Sequence, residues 1–292
     1  MKKAVIYGNG VIGIHTLWQI SLDCEVLCFI NGDSRRQNVW GGGAIKYNDK
    51  EYFIYPPEKL KEIEFDAILI AAGEQYHSQI LRELEKLNIP KEKIKISEAV
   101  NVIKLARLNF IKTLSVMQAE KNIYANAAEL GVYKGETAKY INAYFKDSNF
   151  YLLDTFEGFD TRDIQKEIEL DTKSKVAQTS DFSDTSLEAV KRILPYPQKC
   201  HFIKGYFPKS TEKMPNDLQF GFVNIDVDLY QPILEGLEYF YPRMVKGGTI
   251  LVHDYFHPYY TGVKKAVDEF CLKTEIEAMP IGDGISMAIK KE

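Results

Sequence analysis

The sequence is poor in cysteine, with four in 292 residues, and their arrangement argues against a secreted fold held by disulfides. Two of them form a C-x3-C pattern inside the apolar run "CEVLCFI", which is typical of a buried strand. A metal-binding or redox pair is the alternative that this spacing leaves open. We expect buried, reduced thiols in a cytoplasmic protein at Cys24, Cys28, Cys200 and Cys271.

The sequence also lacks an excess of positive charge and any apolar run of membrane-spanning length. Its net charge is −4, which argues against nucleic acid as a partner. The start, "MKKAVIYGNGVIGIHTLWQISL", resembles a signal peptide, with two lysines before an apolar run. Three glycines, His15 and Gln19 interrupt that run, and no small-residue cleavage site follows. We therefore expect a cytoplasmic protein without a membrane partner.

Length and patterning predict two α/β domains. Residues 1–97 alternate in the βαβ manner, with strands such as "KAVIYG" and "FDAILIAAG", and predict a small Rossmann-like domain of the nucleotide-binding type. Residues 98–121 carry apolar residues at helical spacing and predict a connecting helix. Residues 122–292 alternate again and predict a larger domain with a seven-stranded sheet, in which two strands follow the last helix.

One charged segment, residues 160–183, shows no clear pattern. It is interpreted either as a mobile lid over a site or as a surface insertion, and the sequence favours neither. Tyr230, Tyr255, His257 and Tyr259 lie near the crevice expected at the strand ends and are candidates for lining a polar substrate pocket.

A glycine motif, "GNGVIG", directly follows the first predicted strand and opens a helix. Gly8, Gly10 and Gly13 permit a tight turn and close approach of the backbone to phosphate groups, as in dinucleotide-binding turns. The next strand ends at Asn31, where such folds usually place an acid for the ribose. The motif is therefore interpreted either as a nucleotide site or as a turn kept for packing. No Tyr-x-x-x-Lys pair accompanies it, which disfavours a catalytic NAD domain.

A second glycine turn lies in "AELGVYKGETA". Glu129 and Gly131 end a predicted strand, at the edge of an open α/β sheet where ligands bind. Gly131 would let the backbone approach a ligand, and Glu129 is placed to meet an amino group. Asp154 ends the next strand, where a carboxylate can accept both ribose hydroxyls. This order of turn and acid matches the recognition of an adenosyl group, whereas Asp154 by itself is also explained as a helix cap.

Acidic residues also end two further strands. Asp226 and Asp228 close the run "FGFVNID", and His253 and Asp254 close "GGTILVHDY". Clustered carboxylates repel one another unless a cation, hydrogen bonds or a proton relieves them. Oxygen ligands of this kind suit Mg²⁺, which would polarise a bound hydroxyl while the spare carboxylate takes its proton. The alternative is that these acids cap the turns that follow them.

The ordered segments resemble the macrocin O-methyltransferase (TylF/MycF-type) family over residues 122–292. The resemblance is carried by "ELGVYKGETA", "LLDTFEGF", "FSDTSLEAVKRIL", "FIKGYFPKS", "FGFVNIDVDLYQP", "YPRMVKGGTILVHDY" and "GVKKAVDEF". It implies a class I methyltransferase Rossmann-like seven-stranded sheet whose final strand is antiparallel. It also implies S-adenosylmethionine (SAM) as methyl donor, a divalent metal, and a sugar hydroxyl as acceptor.

The resemblance also implies roles for individual residues. Glu129, Gly131 and Asp154 match the donor-binding positions. The metal ligands are implied at Asp226, His253 and Asp254, and Asp228 matches the general base. The family commonly has two adjacent aspartates before the tyrosine, and here the first of them is His253. This imidazole shifts the expected metal preference away from Mg²⁺, or else acts as a second base or a hydrogen-bond donor to substrate.

These patterns predict a SAM-dependent O-methyltransferase that modifies a hydroxyl of a sugar or of a nucleotide-linked or glycosylated small molecule. Two alternatives remain from the residues alone. One is an NAD(P)-dependent sugar oxidoreductase or epimerase using "GNGVIG", and the other is a non-catalytic module that binds a nucleotide sugar. A homodimer is also expected, from the exposed sheet edges and the connecting helix.

Overall fold

The computed structural model describes residues 1–37, 44–47 and 49–292. Within these residues the chain divides into two compact units, Met1–Lys104 and Leu105–Glu292. No helix among the described residues is long and apolar enough to cross a membrane.

The first unit is an α/β sheet with the βαβ order that the sequence predicts. Its elements are β1 Lys2–Tyr7, α1 Val11–Ile20, β2 Cys24–Ile30, α2 Ser34–Gln37, β3 Ala44–Tyr47, β4 Lys50–Tyr55, β5 Ala67–Ile70, α3 Glu74–Lys86 and β6 Ile94–Ile96. The strands lie in the order β3-β4-β2-β1-β5-β6. All pairs are parallel except the β3–β4 hairpin. The glycine-rich segment "WGGGAIKYNDKEYFIYPPEKL", residues 40–60, predicts a hairpin followed by a short helix, and its positions 40–43 and 48 lie outside the described residues.

The glycines of "GNGVIG" serve the packing of this unit. Gly8 has a φ of +111°, and a Cβ there would overlap the carbonyl oxygen of Ala71, the residue after β5. A Cβ on Gly13 would overlap the carbonyl oxygen of Gly8, because the first turn of α1 lies against the end of β1. Gly10 differs, since a Cβ there would meet nothing within 4 Å. Backbone contacts therefore account for Gly8 and Gly13 without a ligand.

The second unit contains the longer predicted sheet. Its elements are α4 Ala99–Glu120 (which begins in the first unit), β7 Asn126–Leu130, α5 Ala138–Tyr144, β8 Phe150–Asp154, α6 Thr161–Glu169, α7 Leu187–Ile193, β9 Cys200–Lys204, β10 Phe220–Ile225, α8 Tyr230–Phe240, β11 Met244–Val252, α9 Thr261–Thr274, β12 Met279–Pro280 and β13 Met287–Lys290. The strand order is β12-β13-β11-β10-β7-β8-β9. β13 lies antiparallel to both of its neighbours, as predicted for the final strand.

Both faces of this sheet are covered. One core cluster joins strand residues such as Leu130 and Ile225 to the apolar faces of α8 and α9. The other joins alternate strand residues such as Phe150 and Phe222 to α4, α5 and α7. Side chains alternate between the two faces of each strand, and because both faces are covered, the central strands are largely apolar on both, with Asn224 and Thr249 as buried polar exceptions.

The segment 160–183 contains a helix, α6, that the sequence pattern did not predict. The residues that α6 buries are Asp163 and Glu167, whereas Ile168 is half exposed. The buried positions of α6 are acidic instead of apolar. The segment therefore lacks the apolar residues at helical spacing by which a helix is recognised in a sequence. Asp160 caps the helix by accepting the backbone N–H of Arg162.

The cysteines depart in part from the expectation. All four are free, but Cys28 alone is fully buried, while Cys24, Cys200 and Cys271 are half-buried. Cys24 and Cys28 lie four positions apart on the extended strand β2. At about 3.3 Å per residue their Cα atoms are roughly 13 Å apart, which excludes a disulfide or a shared metal ion between them.

The packing of the first glycine motif gives a matched pair of variants. We expect G13A to lower the free energy of unfolding of the first unit by at least about 2 kcal/mol, because the added methyl group overlaps the Gly8 carbonyl. G10A should cost well under half of that. Both tryptophans of the sequence fall within residues 1–104, so tryptophan emission during urea unfolding follows this part of the chain selectively. Equal losses in the two variants would contradict the packing explanation.

Asp163 predicts a pH-dependent stability. Its side chain accepts the hydroxyl of Tyr206 at 2.8 Å, and burial raises its pKa to about 6. The folded state therefore holds the proton more tightly than the unfolded chain, and this contribution is lost as the pH rises from about 4 to 6. We expect D163N, which keeps the acceptor without the charge, to gain up to about 3 kcal/mol over wild type at pH 7.5 and little at pH 4.5. Urea unfolding at both pH values checks this, and a pH-independent difference would contradict it.

Candidate active site

The predicted site residues of the second unit lie where its parallel strands end, whereas Gly8, Gly10 and Gly13 belong to the first unit. β10 lies between β7 and β11, and Ile225 is in register with Leu130 and Val252. The residues that follow these three positions therefore stand side by side along one edge. This is the crevice beyond the carboxyl ends of the strands, where open α/β sheets bind ligands.

Four chemically active side chains meet at the ends of β10 and β11. The Nδ1 atom of His253 lies 3.1 Å from Asp226 Oδ1 and 3.0 Å from Asp254 Oδ2. One ligand atom from each of these three residues falls within 4.8 Å of the others. Asp228 joins the group through a hydrogen bond between its carboxyl group and that of Asp254.

The crowding of these acids perturbs their pKa values in opposite directions. Burial and the charge of Asp254 raise the pKa of Asp228 well above its usual range. Burial opposes ionisation of Asp226 as well, but the charges of His253 and Arg107 outweigh it and lower the pKa of Asp226 to about 2. Burial and Arg107 would lower the pKa of His253, whereas Asp226 and Asp254 raise it to about 9. The group thus balances three carboxyl groups against two cationic side chains and a proton.

The backbone around these acids is unusual. Asp228 has a φ of +60° and Asp254 a φ of +61°, so both adopt the left-handed conformation that few residues other than glycine tolerate. Aspartate accepts it more readily than most side chains do. The left-handed conformation thus occurs after two neighbouring strands, at the two residues whose carboxyl groups share a hydrogen bond.

Asp226, His253 and Asp254 together suit a divalent cation. Ligands at neighbouring corners of an octahedron around Mg²⁺ or Mn²⁺ lie about 3.0 Å apart, given bond lengths of about 2.1 Å. The two distances from His253 Nδ1 match that spacing. His253 Nδ1 is buried and makes no hydrogen bond of good geometry to either carboxylate. The donor set and the buried nitrogen without a hydrogen-bond partner therefore both fit a bound cation.

Arg107 and Asn224 complete the site, and sequence reasoning missed both. Arg107 Nη2 donates to Asp226 Oδ2 at 2.9 Å and to Asn224 Oδ1 at 3.1 Å. Asn224 in turn donates to Glu129 Oε1 at 2.9 Å. A signal for each was present: Arg107 stands four positions before the buried Ile111 on α4, and Asn224 is a polar residue inside a buried strand. This network links the acid cluster to the end of β7.

Glu129 is almost fully buried at the end of β7. Burial and the charge of Asp226 raise its pKa well above the usual range. Its Oε2 atom has no hydrogen-bond partner among the described residues. A buried carboxyl oxygen without a partner is costly, so this atom is free to accept a donor group from a ligand in the crevice.

Asp154 and Gly131 shape the loop after β7. Asp154 Oδ2 accepts the backbone N–H groups of Val132 at 2.6 Å and Tyr133 at 2.8 Å, and its Oδ1 accepts that of Phe156 at 2.6 Å. Gly131 has a φ of +87°, and a Cβ there would overlap the carbonyl oxygen of Asp226. The glycine is thus required by close approach of a neighbouring strand, and the acid already holds three amides of its surroundings.

Other residues singled out from the sequence have ordinary partners. The hydroxyl groups of Tyr230 and Tyr255 donate to Glu269 and Asp268 of α9. His257 accepts the backbone N–H groups of Tyr259 and Tyr260, and Tyr259 is buried.

In the first unit, Asn31 occupies the position expected for a ribose-binding acid. Its amide donates to the side chain of Asn9, and its side-chain oxygen accepts the backbone N–H of Asp33 at 2.8 Å. Asn9 is fully buried. These contacts order the loops around "GNGVIG".

Comparison with known proteins decides the family. A sequence model of the macrocin-O-methyltransferase (TylF) family matches residues 56–286. The chain belongs to this family. It is a SAM-dependent O-methyltransferase. A second family model, described as C2185-like, N-terminal, matches residues 1–95 of this O-methyltransferase.

Individual relatives are distant. Mycinamicin III 3''-O-methyltransferase of Micromonospora griseorubida is 23% identical over 183 residues, which are 59% of this chain and 70% of the relative. The solved structure of CalS11, a calicheamicin methyltransferase, has a TM-score of 0.52 at 16% identity, over 73% of this chain and 84% of its own. That of the O-methyltransferase NovP has a TM-score of 0.51 at 21% identity, over 64% and 79%. The class I Rossmann-like methyltransferase fold implied by the resemblance is confirmed.

The Arg107 contacts give a testable consequence. We expect R107M to lower the free energy of unfolding by about 3–5 kcal/mol, because Asp226 would lose one of its two cationic partners in a largely buried site, with only His253 left. R243M is the control, since Arg243 stacks on Tyr239 and donates to a backbone carbonyl without pairing an acid. Urea unfolding followed by tyrosine near-UV circular dichroism measures both. A loss in R107M no greater than in R243M would contradict the assigned ion pair.

Proposed function

We propose that this O-methyltransferase transfers the methyl group of SAM to a hydroxyl of a sugar or of a sugar-bearing small molecule. The acceptor class is supported by the resemblance to enzymes that methylate sugar hydroxyls and by a relative named mycinamicin III 3''-O-methyltransferase. The observation that carries the proposal is the meeting of Asp226, Asp228, His253 and Asp254 at one edge of the sheet. Such a group suits the deprotonation of an alcohol.

The donor side is assigned to the ends of β7 and β8. Glu129 offers its unpartnered buried oxygen to an amino group of the donor. Gly131 and the amides that Asp154 holds in place form the turn against which the donor would lie. A carboxylate has about four acceptor positions, and Asp154 uses three for backbone amides, which leaves capacity for one ribose hydroxyl.

The metal is assigned to Asp226, His253 and Asp254. A divalent cation bound there would acidify an alcohol and offset the negative charge of the cluster. An imidazole in the ligand set favours a transition metal more than three carboxylates would. Arg107 holds Asp226 Oδ2, so that Oδ1 is left to face His253.

The reaction is a single displacement. The acceptor oxygen forms a bond to the methyl carbon as the bond from that carbon to sulfur breaks, which yields a methyl ether and S-adenosylhomocysteine. Asp228 takes the hydroxyl proton in the state in which its own carboxyl group is ionised, a state that a cation bound at the neighbouring acids would favour. Holding the two reactants in line can supply roughly 7–11 kcal/mol of the barrier reduction, and proton transfer to a placed base adds about 10²–10⁴-fold.

The proposal is tested by incubating the purified protein with SAM and a panel of free, nucleotide-linked and glycosidic sugars, with Mg²⁺, Mn²⁺ or EDTA. We expect S-adenosylhomocysteine to form only with particular sugars, and S-adenosylhomocysteine itself to bind in calorimetry. Tight binding of NADH with turnover, or no binding of S-adenosylhomocysteine, would contradict the proposal.

The base is tested with D228N, which keeps the shape of the side chain. We expect its kcat to fall by about 10²–10⁴-fold, because the amide cannot take the proton. The dissociation constant for S-adenosylhomocysteine should change by less than about threefold, since Asp228 is not assigned to the donor. An equal loss of donor affinity would contradict the separation of roles.

A further inference from the structure

Glu167 is a fully buried carboxyl group that the reaction described above does not use. It lies on α6 with no exposed surface, and in the described part of the chain no lysine or arginine forms an ion pair with it. The charge of Lys265 acts to lower the pKa of Glu167 without forming such an ion pair. A buried acid without a cationic partner is expensive unless hydrogen bonds satisfy it, so its contacts require an explanation.

Those contacts come from three separate places in the chain. Glu167 Oε1 accepts the backbone N–H of Tyr230, and its Oε2 accepts the hydroxyl of Thr172. The hydroxyl of Ser174 also donates to the carboxyl group. A Cβ on Gly262 would overlap both carboxyl oxygens, so Glu167 lies directly against the first turn of α9. One carboxyl group thus touches α8, α9 and the segment after α6.

At α8, Glu167 supplies a cap that the helix lacks. Tyr230 is the first residue of α8, and the N-cap position is Leu229, whose side chain cannot accept a hydrogen bond. A carboxylate at a helix N-terminus satisfies a free N–H group and interacts favourably with the helix dipole. Asp228 stands two residues before Tyr230, so the contact fixes the end of the short loop that carries the proposed base.

At α9 the same segment holds the other loop. Ser174 Oγ accepts the backbone N–H of Gly262 at 3.1 Å, and Thr261 Oγ1 accepts that of Lys173 at 2.9 Å. The N-cap of α9 is Tyr260, which makes no side-chain cap. From there the loop runs back to Asp254 through His257, whose N–H donates to the Asp254 carbonyl at 3.0 Å.

We propose that Glu167 is a positioning residue that sets the loop of Asp228 against the loop of His253 and Asp254. The inference rests on the proposed function for its catalytic meaning. The two loops are the parts of the crevice that must be placed within a fraction of an ångström for proton transfer. From α6, Glu167 contacts the first residue of α8 and the first turn of α9, the helices that follow these two loops. Loss of its carboxyl group therefore displaces the base relative to the neighbouring acids without touching the donor side.

The kinetic test compares Glu167 with Asp163 on the same helix. Asp163 is similarly buried and acidic, but its side chain accepts a hydrogen bond from Tyr206, which belongs to neither loop. We expect E167Q and E167A to lower kcat at least tenfold, with the donor dissociation constant within threefold of wild type. D163N and D163A should stay within about twofold in kcat. If the Glu167 variants lose no more kcat than the Asp163 variants, or lose donor affinity in parallel, the inference is wrong.

Hydrogen–deuterium exchange gives a readout that does not need turnover. In E167A we expect amides of residues 229–231 and 260–263 to exchange at least tenfold faster than in wild type, with no such change in D163A. Unchanged protection of these amides would overturn the inference. If the wild-type protein transfers no methyl group to any sugar, the proposed function fails by itself, and the exchange comparison still decides the placement by Glu167.

A glycine variant tests the same contact from the other side, in case the Glu167 variants fold poorly. The Cβ of G262A would push the carboxyl group away, and kcat should fall at least fivefold with donor binding retained. G282A is its control, because a Cβ at Gly282 meets nothing within 4 Å. Equal kcat values in G262A and G282A would contradict the inference.

Discussion

Repulsion among acids in one crevice is the constraint on which the rest of the site depends. Four carboxyl groups lie buried or half-buried at the ends of three adjacent strands: Glu129, Asp226, Asp228 and Asp254. In a medium of low polarity such a group is stable only if cations, protons or hydrogen-bond donors surround it. Arg107, His253 and Asn224 supply those partners, and the network that they form holds the ends of β7, β10 and β11 in one arrangement.

The sequence predicted the parts of this site that follow from strand order. A buried parallel strand is a continuous apolar run, so the first acids after the run mark its carboxyl end, and neighbouring ends meet. Asp226 and Asp254 could be placed in this way. Arg107 could not, because it is 119 positions from Asp226 and reaches it only through the packing of α4 on the sheet. No local pattern states which face of which strand a distant helix covers.

The glycines and α6 also show that a sequence pattern does not identify the contacts of a residue with distant parts of the chain. Gly131 and Gly8 were correctly placed in turns after strands, but the sequence could not state what approaches them. In the structure, backbone carbonyl groups account for both. α6 went unpredicted because Asp163 and Glu167 occupy its buried positions, and periodicity reasoning assumes that buried means apolar. That method cannot detect a helix whose buried residues are polar unless the partners of those residues are known.

The two carboxylate oxygens of Asp226 have different roles, one structural and one chemical. Oδ2 accepts from Arg107, and Oδ1 faces His253. A carboxylate held at one oxygen loses rotational freedom at the other, so the arginine fixes the direction in which the second oxygen points. Glu167 acts in the same sense at a greater distance, because it fixes backbone instead of a side chain. Groups that never touch a reactant therefore set the geometry in which an alcohol can lose its proton.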